Sequence, residues 1–309
     1  MPGSHYGSVA VIANPAAAGG RDQSARLEQV VSRLRSAGRQ VVIVPTNGPG
    51  DGRIQAARVA ASHETLLAAG GDGTFRELVD GVLSNPDAHP RVGALAFGTG
   101  NDCAQLLHQG RDEAVVSAVL EGGSRPMDVI EARLHLAGVE AVHHALLFAA
   151  VGFSGNLLQA TTPRAKRWFG SHLSYPVGFF RALLRYRPVR LRVTTESHGM
   201  PIEESLVLAM LANAPHAGGR TMRIAPGARL DDGRGEVSLV RAVGRWELAR
   251  QFVRLVQGTH IRHPRVVYGP GNRLSVEADP PQGVALDGDL LGQTPVTCRI
   301  LPGALRVVG

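Results

Sequence analysis

Residues 69–77 combine the parts of a phosphate site. Gly70, Gly71, Asp72, Gly73 and Thr74 follow the apolar run Thr65–Ala68, and Leu78, Val79, Val82 and Leu83 continue at helical spacing. The pattern predicts a strand, a tight glycine turn and a helix start. Glycines let the backbone approach a ligand closely, and a helix N-terminus offers unpaired N–H groups to an anion. Asp72 adds one carboxylate, which beside a phosphate acts through a cation or as a base. An Asp-Gly turn with no ligand has the same residues. Gly98, Thr99, Gly100, Asn101 and Asp102 repeat the arrangement after the strand-like Val92–Phe97. They form either a second wall of one phosphate site or a simple N-cap for the helix that starts near Cys103. The chain has one lysine, Lys166, which excludes a phosphate loop of the Gly-x-x-x-x-Gly-Lys-Ser/Thr type.

Two further clusters carry carboxylates. Ala225, Pro226, Gly227 and Ala228 lead into Asp231, Asp232 and Gly233. Adjacent carboxylates beside glycine bind a hard cation or make an Asx turn. Asp287, Gly288 and Asp289 follow an alternating run near the end. They read as a hairpin turn or as the seat of a base. The histidines have no metal-ligand spacing, Cys103 and Cys298 form no disulfide or metal pattern, and there is no Gly-x-Ser-x-Gly nucleophile elbow.

The elements that must position these residues follow two rhythms. Ser8–Ala13, Gln40–Val44 and the strands before the two glycine loops alternate with helical stretches at Gln23–Ala37 and Ile54–Ser62. That predicts an open parallel sheet, with ligands beyond the carboxyl ends of its strands. Asn14, Thr46, Gly70–Thr74 and Gly98–Asp102 all fall at such ends. After Gly123 the texture turns β-rich: Arg125–Arg133, Val142–Val151, Val189–Thr195, Leu206–Leu211 and several later runs look like strands without regular helices between. A second domain, a β-sandwich, is expected. The expected division is 1–123, 124–298 and a terminal strand 299–309.

The 309 residues are enough for about two domains. The net charge of +7 is carried almost wholly by arginine and reads mostly as a compositional bias, with nucleic acid or an anionic membrane left open as partners. No apolar run nears the roughly 20 residues that span a bilayer, and no secretory leader is visible, so a cytoplasmic setting is expected. Pro163–Arg192 holds eight basic residues, no acid and six interleaved aromatics. It fits either a helix packed on the sandwich or contact with an anionic membrane, and fits nucleic acid less well. Monomer and homodimer are both left open.

Taken in order, Asn14-Pro15, the Gly70–Thr74 loop with Glu77, the Gly98–Asp102 loop, the Ala225–Gly233 run and Asp287–Asp289 resemble the bacterial diacylglycerol-kinase-like lipid kinases. That group includes sphingoid-base and ceramide kinases and is more distantly related to NAD kinases and phosphofructokinases. The resemblance spans nearly the whole chain. It implies an α/β nucleotide domain, a β-sandwich, and transfer of phosphate from ATP to a lipid hydroxyl with Mg²⁺. A lipid at an anionic membrane surface is the implied acceptor, with the enzyme peripherally bound there. By this resemblance Thr46, Gly71, Asp72, Gly73, Thr74, Glu77 and Thr99 bind nucleotide, alongside Asn14, Gly70, Gly98, Gly100 and Asn101 from the two loops and the first strand end. Asp102 and Asp128 belong to a water-linked Mg²⁺ network. Asp232 with the backbone carbonyls of Arg229 and Arg234 forms a second, structural metal site. Asp289 stands where the family usually has a glutamate base, with Asp72 as the rival base; the shorter side chain alters its reach. The family often has lysine near Ala16, and Arg21 is the nearest cation here. The alternatives are an NAD-kinase-like small-molecule kinase and a non-catalytic membrane-binding module of the same fold.

Overall fold

The computed structural model describes residues 7–17, 20–108, 110–136, 138–153, 182–184, 186–196 and 198–309. The chain forms two compact units: the part up to Met127 together with Gly303–Gly309, and Asp128–Pro302. These divisions fall inside two strands, Ser124–Leu136 and Asp289–Val308. The composition change at Gly122-Gly123 therefore marks where a strand begins, four residues before the compact unit changes.

In the first unit β1 (Ser8–Ala13), β2 (Gln40–Pro45), β3 (Thr65–Gly70) and β4 (Arg91–Ala96) form a parallel sheet. The end of β14 (Asp289–Val308) adds to β4, also in parallel. All six positions of β1 and of β3 are buried, as expected of interior parallel strands covered on both faces. β2 lies at the edge, with Val41 and Val44 buried and Val42 and Ile43 exposed. Val9 and Val11 of β1, Leu67 and Ala69 of β3 and Leu95 of β4 share one core cluster with α1 (Gly20–Ser36) and α5 (Asp112–Glu121). α2 (Asp51–Val59) and α3 (Asp72–Leu83) pack together. Gly81 makes that packing possible, since a β-carbon there would run into the Arg53 carbonyl and sit 2.7 Å from Ala56 Cβ. α4 (Asp102–His108) follows the second glycine loop.

The second unit is antiparallel. β7 (Phe148–Gly152), β8 (Val189–Thr195), β9 (His198–Ala212), β12 (Arg273–Glu277), β13 (Gly283–Leu286) and β14 pair in a closed circuit, in the order β9, β7, β13, β14, β12, β8 and back to β9. β10 (Glu236–Arg241) and β11 (Val266–Pro270) extend it beyond β9, and β5 (Ser124–Leu136) carries β6 (Val139–Ala145). Inward residues recur at every second position, as in Ile130, Ala132 and Leu134 or Val296, Cys298 and Ile300, and meet in one core. Burial there pushes the Cys298 thiol up to about 12, which leaves it unreactive.

Three elements differ from the sequence expectation. The run 142–151 is two strands, because the chain breaks at Leu146 and Leu147. α5 precedes the β-rich half. The sandwich unit also contains a helix, α6 (Arg245–Gln257), with Leu248, Phe252 and Leu255 on its inner side. Most of the basic-aromatic stretch 163–192 lies outside the described residues. Of its described part, Ala182, Leu183 and Tyr186 are buried with Phe153, Val207 and Leu248.

Candidate active site

Strand register brings the first group of predicted residues to one edge. Ala13 lies level with Pro45 and with Ala69, and Gly70 lies level with Ala96. The residues after each strand are then stitched together: Asn14 N–H donates to Ala69 O (3.0 Å), Thr46 N–H to Ala13 O (2.8 Å) and Phe97 N–H to Gly70 O (3.0 Å). Asn14 Nδ2 donates to Thr74 Oγ1 at 3.3 Å, which ties the end of β1 to the first turn of α3.

The two glycine loops are in contact through their backbones. A β-carbon on Gly71 would lie 3.3 Å from Gly98 Cα, and one on Gly98 would collide with Gly71 Cα. Position 98 has no room for a side chain, and position 71 is tight for one. Asn101 closes the second loop on itself: its Oδ1 accepts from Gly98 N–H at 2.7 Å, its Nδ2 donates to Gly98 O at 2.8 Å, and its φ is +56°. Asp72 Oδ1 accepts the Cys103 N–H at 2.9 Å. The cap of α4 therefore comes from the first loop. Gly71, which precedes α3, is extended and gives no side-chain cap. The first-turn amides of α3, around Gly73 and Thr74, have no partner within the helix. Thr99 is exposed at the tip of the second loop.

Glu77 has a definite task. Its Oε1 accepts Gly50 N–H at 2.8 Å and its Oε2 accepts Gly52 N–H at 3.0 Å. It caps α2, whose own N-cap is Gly50 at φ +85°, and so positions the loop that follows Thr46. A second support was not visible in the sequence. Arg26 reaches Asp112 Oδ2 at 2.6 Å, the Ala96 carbonyl at 3.4 Å, and the Phe97 ring at 4.6 Å from its centroid. Asp112 Oδ1 accepts the Ala96 N–H at 3.3 Å. Together they fix the stem of the second glycine loop.

Asp72 Oδ2 and Asp102 Oδ2 reach toward Gly100, at 3.1 Å and 3.9 Å from where its β-carbon would sit. Among the described residues no three of His, Cys, Asp and Glu converge as a cation cage. Two carboxylates beside the glycine loops are a donor set that suits Mg²⁺, which keeps several waters and takes few protein ligands.

In the sandwich unit Asp128 holds the loop that contains the second proposed metal residues. Asp128 N–H donates to Leu230 O at 2.7 Å, and its Oδ2 accepts Gly233 N–H at 2.7 Å. Asn213 Nδ2 donates to the carbonyls of Asp128 and Leu146. Asp232 Oδ1 accepts the Arg234 N–H at 3.0 Å, so it makes an Asx turn. Arg229 pairs with Asp231 at 3.6 Å. Beside this loop, Gly227 N–H donates to Tyr268 Oη at 3.0 Å. Burial pushes the Glu236 carboxyl above its ordinary value, a Tyr268 hydrogen bond opposes this, and Asp232 adds to it.

Asp287 and Gly288 form the two-residue hairpin turn between β13 and β14, with φ of +50° and +91°. Positive φ at both positions is the type I′ pattern. The Asp287 carboxylate accepts three amides, from Leu146 (2.7 Å), Leu147 (2.8 Å) and Phe148 (3.0 Å). It anchors the turn to the break between β6 and β7. Asp289 is the exposed first residue of β14.

The same unit holds an apolar cavity of about 170 Å³ between the sheet and α6, lined among others by Phe153, Met210, Leu248 and Leu255. Gln251 Oε1 and His260 Nδ1 are buried at its wall, and neither has a hydrogen-bond donor among the described residues. No described helix is long and apolar enough to cross a membrane.

Comparison with known proteins decides what this framework belongs to. Residues 8–132 match the diacylglycerol kinase catalytic domain, and residues 149–309 match the YegS C-terminal NAD kinase beta sandwich-like domain. The chain belongs to the bacterial diacylglycerol-kinase-like lipid kinases. It is a kinase, and its two-part architecture is the one shared by diacylglycerol kinase and NAD kinase folds. A diacylglycerol kinase of Staphylococcus carnosus (strain TM300) is 27% identical over 271 residues, 87% of this chain and 84% of that protein. One from Staphylococcus aureus (strain MRSA252) is 27% identical over 288 residues, 92% of this chain and 87% of that protein. The crystal structure of a diacylglycerol kinase from Bacillus anthracis str. Sterne superposes with a TM-score of 0.70 at 21% identity, covering 98% of this chain and 96% of that one. Yeast NADH kinase complexed with NADH superposes with a TM-score of 0.51 at 12% identity, covering 97% and 82%. The two structural likenesses concern the fold alone.

Proposed function

We propose that this lipid kinase transfers the γ-phosphate of ATP to the hydroxyl of diacylglycerol or a related long-chain alcohol. The observation that carries the nucleotide half is the contact between the two glycine loops, with Asp72 of one capping the helix that follows the other. Amides at the start of α3 and at the tip of the Gly98–Asn101 turn, beyond the Gly98 N–H that Asn101 already holds, face the phosphates, and Asn14 and Thr46 complete that edge. Glu77 acts through α2, as a positioning residue for the loop after Thr46. Asp72 and Asp102 would hold Mg²⁺, with water completing its shell. When bound, the cation offsets charge on the phosphate oxygens. Asp128 supports the Arg229–Arg234 loop, whose Asp232 and backbone carbonyls would hold the second, structural cation.

The lipid half rests on the apolar cavity of the sandwich unit, which suits part of a hydrocarbon chain. Asp289 takes the proton from the lipid hydroxyl. Asp289 is exposed at the start of β14, while Asp72 Oδ1 accepts the Cys103 N–H and links the two glycine loops. Asp287 fixes the turn from which Asp289 projects. Phosphoryl transfer is mostly positioning and electrostatics, which is what these turns provide.

The test pits two acceptors against each other. The protein is incubated with Mg-ATP and either detergent-dispersed diacylglycerol or NAD. Phosphorylated lipid and no NADP is the expected result. NADP without phosphorylated lipid would replace the lipid reading with that of a small-molecule kinase.

A further inference from the structure

Helix α6 has two apolar sides. Leu248, Gln251, Phe252 and Leu255 line the cavity. On the outer side Trp246 is 84% exposed, Val253 57% and Val256 38%. Arg245, Arg250 and Arg254 are exposed on the same helix. Trp246, Arg250 and Val253 follow i, i+4, i+7 spacing and form one stripe. An exposed tryptophan in this company is unusual for a solvated face, because burying such a ring contributes more than burying most side chains.

The charge around the stripe is one-sided. Glu247 is the single acid of α6. It accepts from Gln251 Nε2 at 2.7 Å and lies 3.2 Å from His263, 3.6 Å from Arg250 and 4.0 Å from Arg254. The following loop adds Arg262 and Arg265. An indole ring flanked by guanidinium groups matches the interface of a bilayer with anionic headgroups, where tryptophan prefers to sit and each basic residue adds to the attraction.

We infer that the outer face of α6 is a docking surface for an anionic lipid bilayer, with Trp246 as its interfacial anchor. This rests on the reading that the acceptor is a membrane lipid. It gives one helix two tasks, an apolar wall for the acceptor on one side and attachment to the surface that supplies it on the other.

The test uses the full chain carrying Trp168→Phe, so that Trp246 is the sole tryptophan. Emission is recorded, without ATP, against vesicles of phosphatidylcholine alone and of phosphatidylcholine mixed equally with phosphatidylglycerol. The expected result is a blue shift and loss of iodide quenching with the mixed vesicles only. The double variant Arg250→Gln/Arg254→Gln should bind the mixed vesicles roughly tenfold or more weakly. Trp246→Ala should sediment less with them, yet phosphorylate detergent-dispersed lipid as the parent does. Unchanged emission overturns the proposal, as does an equal shift with both vesicles. A shift that grows with protein concentration in the absence of vesicles assigns the face to a second copy of the chain and overturns it as well. Loss of phosphorylation in detergent by the parent protein would instead strike the kinase reading, so the two failures are distinguishable.

Discussion

Asp72-Gly73 and Asp287-Gly288 are the same dipeptide in two settings. In the α/β unit Asp72 opens a helix, accepts one amide with Oδ1, and directs Oδ2 toward Gly100 and Asp102. In the sandwich unit Asp287 sits in a hairpin turn and accepts three amides. The first carboxylate links two loops and keeps an oxygen on the candidate ligand side. The second is an anchor, and the residue two places on, Asp289, is the exposed one. A carboxylate beside glycine thus signals chemistry only when its hydrogen bonds leave an oxygen for it.

The comparison can be broken most sharply at Asp72. Asp72→Asn should lower the rate of phosphate transfer by on the order of a thousandfold, the scale of removing a preorganised electrostatic group. Its unfolding midpoint should stay near the parent's. Equal turnover would make Asp72 as structural as Asp287. Asp289→Ala comes next, with a loss of on the order of a hundredfold or more, as expected for a general base, while nucleotide binding by calorimetry is kept. Asp289→Glu should retain much of the activity.

At Asp287 the readout is stability. Asp287→Ala leaves three amides without their acceptor, and a loss of roughly 3 kcal/mol or more is expected in denaturant unfolding. A change below about 1 kcal/mol would mean that the anchor is dispensable. Glu77→Gln should cost about 1 kcal/mol through the cap of α2 and raise KM for ATP more than it lowers kcat. The smallest effect concerns His260. Burial holds its imidazole below the ordinary 6.5, and a hydrogen bond to Ile224 opposes this only in part. The unfolded chain therefore binds the proton first as pH falls below about 6.5, and the stability that the neutral ring contributes above that pH is lost toward its depressed folded value. Between about pH 7 and pH 5.5 the unfolding midpoint should drop slightly, and His260→Gln should flatten that slope.

Much of the α/β unit is legible in the chain itself. β1 and β3 are unbroken apolar runs, so their ends and the residues beyond them could be placed by eye. The glycines at 71 and 98 announce a close approach, although not that they approach each other. Partners far apart in sequence were hidden. Arg26 and Asp112 are separated by 86 positions, and nothing local marks them as the clasp of the second loop. Glu77 looked like a ligand for nucleotide, and its two amides become visible only once α2 is folded beside α3. α6 was masked by its surroundings, because Leu248, Phe252 and Leu255 sit among strands. Asp128 and Asp287 carry no motif for an amide anchor, since three N–H groups leave no trace in side-chain identity.

The most direct measurement of the central claim is incorporation of label from γ-phosphate-labelled ATP into chloroform-extractable lipid, for the parent protein and for Asp72→Asn, with a panel of extracted lipids as acceptors. The account predicts a labelled phospholipid with the parent protein, dependent on Mg²⁺, and almost none with the variant. Label confined to the aqueous phase in both, or equal lipid labelling by both, would contradict it.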